Sequence, residues 1–282
     1  MVDGHDYQEW IGRTVTQEDM VTASPIERLD ATLETDHQLY STGVALPPLA
    51  HWLYFLPNER QSTLGPDGHP KRGGFLPPIH DLPRRMWAGS RLTFKSPLRV
   101  GMHVKRTSTI ESVTSKQGTT GPLVFVTVGH AVHDENGHLL LTDHHDIVYR
   151  DVTAPADRAR STAPKGPWHR SIVPDTVMLF RYSALTFNGH RIHYDRTYVF
   201  AVEGYPGLIV HGPLIATLLI DLVRRSLPSS VVVKAYSFRA VSPLFDGSEL
   251  HLNGSPPDET GKILLWATND RDELIMKAEA TI

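Results

Sequence analysis

The 282-residue chain contains no cysteine, and this absence removes several kinds of chemistry at once. Disulfides, cysteine-ligated metal or iron–sulfur sites and a cysteine nucleophile are all excluded. The sequence also lacks an excess of charge of either sign, since 28 Lys and Arg stand against 31 Asp and Glu. Nucleic-acid-binding surfaces usually need clustered positive charge, so this balance argues against a nucleic-acid partner.

Long uninterrupted apolar segments are also missing. The first twenty residues are acidic and lack the basic start and apolar stretch of a signal peptide. The longest apolar run, 208–223, contains His211, Gly212, Pro213 and Asp221, which favours a buried helix over a membrane span. The sequence therefore predicts a soluble cytoplasmic protein with no membrane partner.

Histidine, by contrast, is plentiful, with 16 residues that make acid–base or metal chemistry possible. No HExxH or comparable helical spacing is present, and His144 and His145 are neighbours on a predicted strand, where they point to opposite faces. We therefore predict neither a metal site nor a cofactor.

The composition divides the chain into two similar halves. Residues 151–174 are rich in Ala, Pro, Ser and Arg without apolar periodicity, which indicates a linker between units 1–150 and 175–282. In the first half we predict helical segments over 16–34, which opens with a capping-box-like TQED, and over 46–56. In the second half we predict a short helix over 197–203 and a longer one over 213–226.

Strand-like alternation follows the predicted helices in both halves. The predicted strands are 91–94, 104–113, 123–133 and 139–150, then 231–241, 248–253, 263–268 and 273–279. Residues 134–137, Asp-Glu-Asn-Gly, predict a hairpin turn. The pattern predicts an α+β protein in which each unit is a curved antiparallel sheet around a buried helix, with the two units sharing one sheet or packing as a pseudo-dimer.

The densest polar cluster follows a short alternation at 183–186 that we interpret as a strand. Asn188, His190, Arg191, His193 and Asp195 fall within eight residues. His193 can both take and give a proton near neutral pH, whereas the Asn188 amide can only orient a water or a substrate group. The alternative is a histidine-rich turn held together by hydrogen bonds.

A second cluster is glycine-rich and precedes the longest predicted helix. Residues 203–207 form a tight loop, and His211-Gly212-Pro213 then begins the helix. Backbone N–H groups at a helix start can stabilise an oxyanion, and a glycine there lets a carbonyl group approach the backbone. The alternative is that the glycines serve only close packing.

Together the two clusters resemble the signature of the MaoC-like hot-dog hydratases, an Asp-x-Asn-Pro-x-His motif followed by Gly-Phe and Ala-His-Gly before a central helix. Asn188 and His193 match the motif's Asp and His, His190 and Arg191 its Asn and Pro, and His211-Gly212 its His-Gly. The sequence SALTFNGHRIHYD and the first-half stretch LPRRMWAGSRLTFKSPLRVG, residues 82–101, are similar to a subgroup of hydroxyacyl-thioester dehydratases and mesaconyl-C4-CoA or itaconyl-CoA hydratases. Because Asn188 replaces the acid, one of the two protonatable groups of the motif is missing.

The resemblance implies a double hot-dog fold and a hydro-lyase acting on an enoyl or methylene acyl-CoA thioester. It implies that His193 is the general base, that Asn188 holds the water, that the Gly212 N–H stabilises enolate charge, and that His190, Arg191, Tyr205 and His211 contact the substrate. The first half carries no such motif and is expected to shape the acyl pocket.

The favoured substrate is itaconyl-CoA or mesaconyl-C4-CoA, giving citramalyl-CoA or a related hydroxyacyl-CoA. Arg84 and Arg85 would pair with a free carboxylate or with CoA phosphates, unless they are solvated surface charges. The alternatives are a 3-hydroxyacyl-ACP or -CoA dehydratase of fatty acid synthesis and a non-catalytic acyl-thioester-binding subunit. A homodimer is left open.

Overall fold

Ten strands of the described residues form one continuous antiparallel sheet in the computed structural model. The structure describes residues 7–35, 39–118, 121–151 and 160–282. The first-half strands are β1 Thr14–Met20, β2 Arg84–Phe94, β3 His103–Gly118, β4 Gly121–Asp134 and β5 Leu139–Arg150. The second-half strands are β6 Trp168–Ile172, β7 Ala235–Ala240, β8 Leu250–Gly254, β9 Lys262–Asn269 and β10 Leu274–Thr281.

The strand order is β1-β3-β4-β5-β2-β7-β10-β9-β8-β6, so five strands from each half lie side by side. Period-two burial is typical of strands: in β4, Val124, Val126 and Val128 face the interior, while Leu123, Phe125 and Thr127 are less buried. The turn predicted at 134–137 is confirmed, with Gly137 at φ 83° and its N–H donating to the Asp134 carbonyl.

The two halves meet where β2 pairs with β7, from Gly89 opposite Arg239 to Thr93 opposite Ala235. Gly89 permits this approach, because a Cβ there would lie 2.3 Å from the Phe238 carbonyl oxygen. The α+β double hot-dog architecture is confirmed, and the halves share one extended sheet.

Four α-helices occur in the described residues: α1 Ala23–Leu33, α2 Thr176–Leu185, α3 Arg196–Tyr198 and α4 Gly212–Ser226. A π-helical turn, Val199–Glu203, continues α3, and single 3-10 turns cover Tyr7–Trp10, Ala50–Leu53, Gln61–Thr63 and Arg191–His193. The two helices predicted in the second half, over 197–203 and 213–226, are therefore present. None of the helices in the described ranges is long and apolar enough to cross a bilayer.

α4 is the central helix of the second half. Ten of its fifteen residues are buried, and it packs against β6, β8, β9 and β10. Its one buried charge, Asp221, is paired with Arg170, Arg224 and Arg225, so the carboxylate is compensated. The rigid, buried helix gives its N-terminal end a fixed position.

The first half has no long central helix in its described residues, and the helix predicted over 46–56 is wrong. Only Ala50–Leu53 forms a 3-10 turn there, because Leu49 and Phe55 adopt left-handed backbone conformations with φ of 68° and 54°. The buried side chains of Leu46, Leu53 and Tyr54 fill the space instead.

Three further predictions differ from the structure. The TQED at 16–19 belongs to β1, which pairs with β3, and the helix starts only at Ala23. Residues 183–186 lie at the end of α2, whose start is capped by Asp175 accepting from the Met178 N–H. Within the predicted linker 151–174, Trp168–Ile172 forms β6 on the edge of β8, and 152–159 lie outside the described residues.

Candidate active site

The loop after α2 is shaped by Asn188. Phe187 turns the chain with φ 48°, and the Asn188 N–H then donates to the Ser183 carbonyl at 2.8 Å. The Asn188 Oδ1 accepts from the His190 N–H at 3.0 Å, a local Asx turn. The carbonyl oxygen of this amide thus already accepts one hydrogen bond, and its NH₂ group, with no partner among the described residues, can donate to a ligand.

His193 is the buried imidazole of this loop, 7% exposed. Its Nδ1 lies 2.7 Å from the Ile209 carbonyl oxygen. A carbonyl only accepts, so Nδ1 carries the proton and Nε2 presents a lone pair. Burial lowers the pKa of His193 to about 4, so the ring is neutral at physiological pH, which is the protonation state that a general base needs before it takes a proton.

His211 stacks on His193, with ring centroids 3.6 Å apart and planes inclined by 17°. Its Nε2 lies 2.8 Å from the Ser183 Oγ on α2, and its Nδ1 is buried without a hydrogen-bond partner. Burial lowers the pKa of His211 well below its usual value. His211 therefore supports the His193 ring as a neutral, stacked neighbour.

Gly212 begins α4 directly after this ring pair. The first intrahelical bond runs from the Ile215 N–H to the His211 carbonyl, so the N–H groups before it have no acceptor within the helix. Gly212 is not among the residues with positive φ, and an added Cβ would meet only the Met276 Cε at 4.0 Å. Neither strain nor crowding requires a glycine here, and the space beside it is open.

Arg191 and Arg84 are already committed to protein partners. Arg191 forms an ion pair with Asp195 at 2.7 Å, donates to the Pro66 carbonyl at 2.9 Å and lies over the Tyr198 ring. Arg84 donates to the Glu203 carbonyl at 2.8 Å and lies over the Tyr205 ring at 5.0 Å. Their predicted contact with substrate stays a prediction, and so does that of Tyr205.

Arg85 is different. It lies opposite Tyr149 in the β2–β5 pair, where its charge partly offsets the burial that raises the pKa of the Tyr149 hydroxyl, and no carboxylate of the described residues is within ion-pair distance. Its charge acts on the histidine loop: burial first, then His69 and His193, and last Arg85 lower the pKa of His190 to about 2. Arg85 thus offers a cation beside the site.

Sequence reasoning missed two residues that the structure brings to this loop. Asp67 and His69, from the first half, lie next to His190, and the ligand atoms of these three side chains are within 4.8 Å of one another. The His69 and His190 rings are 4.0 Å apart, and the His190 and His193 rings 5.5 Å. The three side chains are close enough to share one metal ion; nothing in the sequence pattern links positions 67 and 190.

Comparison with known proteins places the chain among thioester hydro-lyases. A family model described as hydroxyacyl-thioester dehydratase type 2 matches residues 49–246. The mesaconyl-C(4)-CoA hydratase of Chloroflexus aurantiacus is 47% identical over 255 residues, covering 89% of each chain. The mitochondrial hydroxyacyl-thioester dehydratase type 2 of Schizosaccharomyces pombe is 27% identical, covering 89% of this chain and 92% of that protein.

Solved structures agree in fold. A MaoC-like dehydratase from Phytophthora capsici superposes with a TM-score of 0.74 at 14% identity, covering 96% of this chain and 95% of that one. A Mycobacterium tuberculosis protein described as a double hot-dog gives 0.62 at 14% identity, covering 96% of both chains. The chain belongs to the hydroxyacyl-thioester dehydratase type 2 family of MaoC-like hot-dog proteins, and it is an enzyme of the hydro-lyase class.

Proposed function

We propose that this enzyme adds water reversibly to the double bond of a branched five-carbon dicarboxylyl-CoA, mesaconyl-C4-CoA or itaconyl-CoA, and forms citramalyl-CoA. The observation that carries the proposal is the 47% identity, over 89% of both chains, to a mesaconyl-C(4)-CoA hydratase. The buried, tautomer-fixed His193 beside the start of α4 supplies the geometry that such chemistry needs.

In the proposed hydration of mesaconyl-C4-CoA, the Nε2 of His193 takes a proton from water while the water oxygen bonds to the β-carbon. The electron pair of the double bond moves to the α-carbon, and the resulting enolate oxygen accepts from N–H groups at the start of α4, Gly212 among them. The Asn188 NH₂ group donates to the incoming oxygen. The α-carbon then takes the proton back from His193, which leaves the net addition of one water.

The substrate carboxylate is assigned to Arg85. In mesaconyl-C4-CoA the free carboxylate is attached to the carbon that receives the water, so its counter-ion must lie near the base. Arg85 is near the histidine loop and has no carboxylate partner among the described residues, whereas Arg84 is held by Glu203. Guanidinium also matches a carboxylate in a bidentate arrangement.

The test is a survey of the purified protein with mesaconyl-C4-CoA, itaconyl-CoA, crotonyl-CoA and longer enoyl-CoA thioesters, with hydration followed by loss of the conjugated double bond. We expect kcat/KM to be highest with a dicarboxylyl thioester. Preference for an unbranched or long acyl chain would instead support dehydration of 3-hydroxyacyl thioesters, the activity named for the Schizosaccharomyces pombe relative.

The Arg85→Gln variant tests the proposed carboxylate partner with the same thioesters. Loss of one charged hydrogen-bonding partner costs about 1.5–3 kcal/mol, so kcat/KM for mesaconyl-C4-CoA should fall by roughly 10–100-fold. Crotonyl-CoA carries no carboxylate and serves as the internal control, because its hydration should change little. An equal loss with both thioesters would exclude Arg85 as the carboxylate partner.

A further inference from the structure

The loop of residues 65–70 belongs to the first half but is docked onto the catalytic loop of the second half. The Arg191 N–H donates to the Asp67 carbonyl at 2.9 Å, and the Arg191 side chain donates to the Pro66 carbonyl. At Gly68, with φ 88°, a Cβ would lie 1.8 Å from the Gly189 carbonyl oxygen. Only glycine permits this backbone contact, so the two loops are built to touch.

This loop brings a carboxylate–imidazole pair to the site. The Asp67 Oδ1 accepts from the His69 N–H at 3.0 Å, and the Asp67 Oδ2 lies 3.1 Å from the His69 Nδ1. Burial alone would raise the pKa of Asp67, but its hydrogen bonds from His69 hold it well below the usual value. An ionised carboxylate accepts, so Nδ1 carries the proton and the Nε2 of His69 presents a lone pair.

Two imidazoles of the site therefore have a tautomer fixed by an acceptor: His193 by the Ile209 carbonyl and His69 by Asp67. The His190 ring is close to both, with ring centroids 4.0 Å from His69 and 5.5 Å from His193, and it has no hydrogen-bond partner among the described residues. A water molecule has two hydrogens to donate. The Asn188 carbonyl oxygen already accepts from the His190 N–H and has one lone pair left, whereas the His69 Nε2 accepts from no group of the described residues.

We infer that His69 is a second catalytic residue, which accepts a hydrogen bond from the reacting water at Nε2, and that Asp67 is its positioning residue. This inference rests on the proposed function. One O–H of the water points at His193, which takes that proton, and the other points at His69 and stays intact as the hydroxyl of the product. A protonatable group, which the motif has lost at position 188, is thus supplied from the other half of the chain.

The experiment compares wild type with His69→Ala, His69→Gln, Asp67→Asn and His193→Ala on the thioester survey, with His80→Gln as the control. His80 is an exposed histidine of the same first-half region. We expect kcat to fall about 10²-fold or more for His69→Ala with little change in KM, and less for Asp67→Asn. Added imidazole should restore part of the His69→Ala activity, which a merely structural role would not allow.

The outcomes separate the two proposals. If wild type hydrates a thioester and His193→Ala is inactive, but both His69 variants keep wild-type kcat, this inference alone is overturned. If wild type turns over none of the thioesters, the proposed function and this inference both fail. If wild type loses activity on dialysis against a chelator and regains it with a divalent metal, the Asp67, His69 and His190 cluster holds an ion and the hydrogen-bonding role is overturned.

Discussion

No packing contact requires a glycine at position 212, so a substitution there tests the proposed role of the helix start. The Cβ of Gly212→Ala would find open space apart from the Met276 Cε at 4.0 Å, and alanine at a helix start loses less entropy on folding. We expect the melting temperature to stay the same or rise. The methyl group would keep the thioester carbonyl from the backbone N–H, and kcat should fall by about 10²-fold.

Thermal unfolding and steady-state kinetics of the same preparation check this prediction. A fall in the melting temperature together with the activity would mean that the glycine serves packing. Full activity with unchanged stability would remove the start of α4 from the mechanism.

The NH₂ group of Asn188 is the part of the side chain on which its proposed role depends. Asn188→Asp keeps the oxygen that accepts from the His190 N–H, so the loop should fold, but it replaces the NH₂ donor by an acceptor. We expect kcat to drop by at least roughly 10-fold, in line with the loss of a hydrogen bond to a reacting group. Wild-type turnover would show that Asn188 only shapes the loop, and circular dichroism provides the folding control.

At the scale of elements, the 65–70 loop can be tested with a matched pair of glycines. Gly68 and Gly73 have φ of 88° and 89°, but an added Cβ would meet the Gly189 carbonyl at 1.8 Å in one case and only the Pro78 Cβ at 3.8 Å in the other. Both alanine variants bear a similar backbone strain of about 1–2 kcal/mol. Only Gly68→Ala should also separate the two loops and lower kcat. Steady-state kinetics and urea unfolding of both variants check this prediction.

Eight of the ten described strands and α4 could be predicted from sequence, because period-two burial in β4 and a proline-started apolar run in α4 are local signals. Other elements could not. The TQED segment forms β1 because β3 offers a partner strand, a tertiary effect that overrides the local helix signal. His193 could be proposed as a candidate from its neighbours in sequence, whereas His69 reaches the candidate site only through a contact between loops more than a hundred residues apart.

For the whole molecule, histidine burial predicts how stability depends on pH. Burial lowers the pKa of six histidines: His51, His69, His130, His190, His193 and His211. Below pH 6.5 these histidines are protonated in the unfolded chain but stay neutral in the folded chain. The free energy of unfolding should therefore fall as the pH falls. For His193 alone, the change from 6.5 to about 4 corresponds to roughly 3 kcal/mol.

The carboxylates act in the same direction. Asp67 and Asp143 have lowered pKa values, so their contribution is present above the usual carboxylate pKa and is lost as the pH falls through the acid range. Urea unfolding at pH 8, 6.5 and 5 should give a steadily smaller free energy of unfolding. A constant or rising value toward pH 5 would contradict the buried, neutral state of these histidines.

The pairing of β2 with β7 has an evolutionary consequence. When two identical subunits assemble, every substitution appears twice, once at each symmetry-related position. Here both halves of the sheet come from one chain, so each side of the junction can change alone. The 65–70 loop can bring a carboxylate and an imidazole to a candidate site whose proposed base, His193, comes from the other half. A symmetric pair of identical units could not acquire such a difference at one of its two sites only.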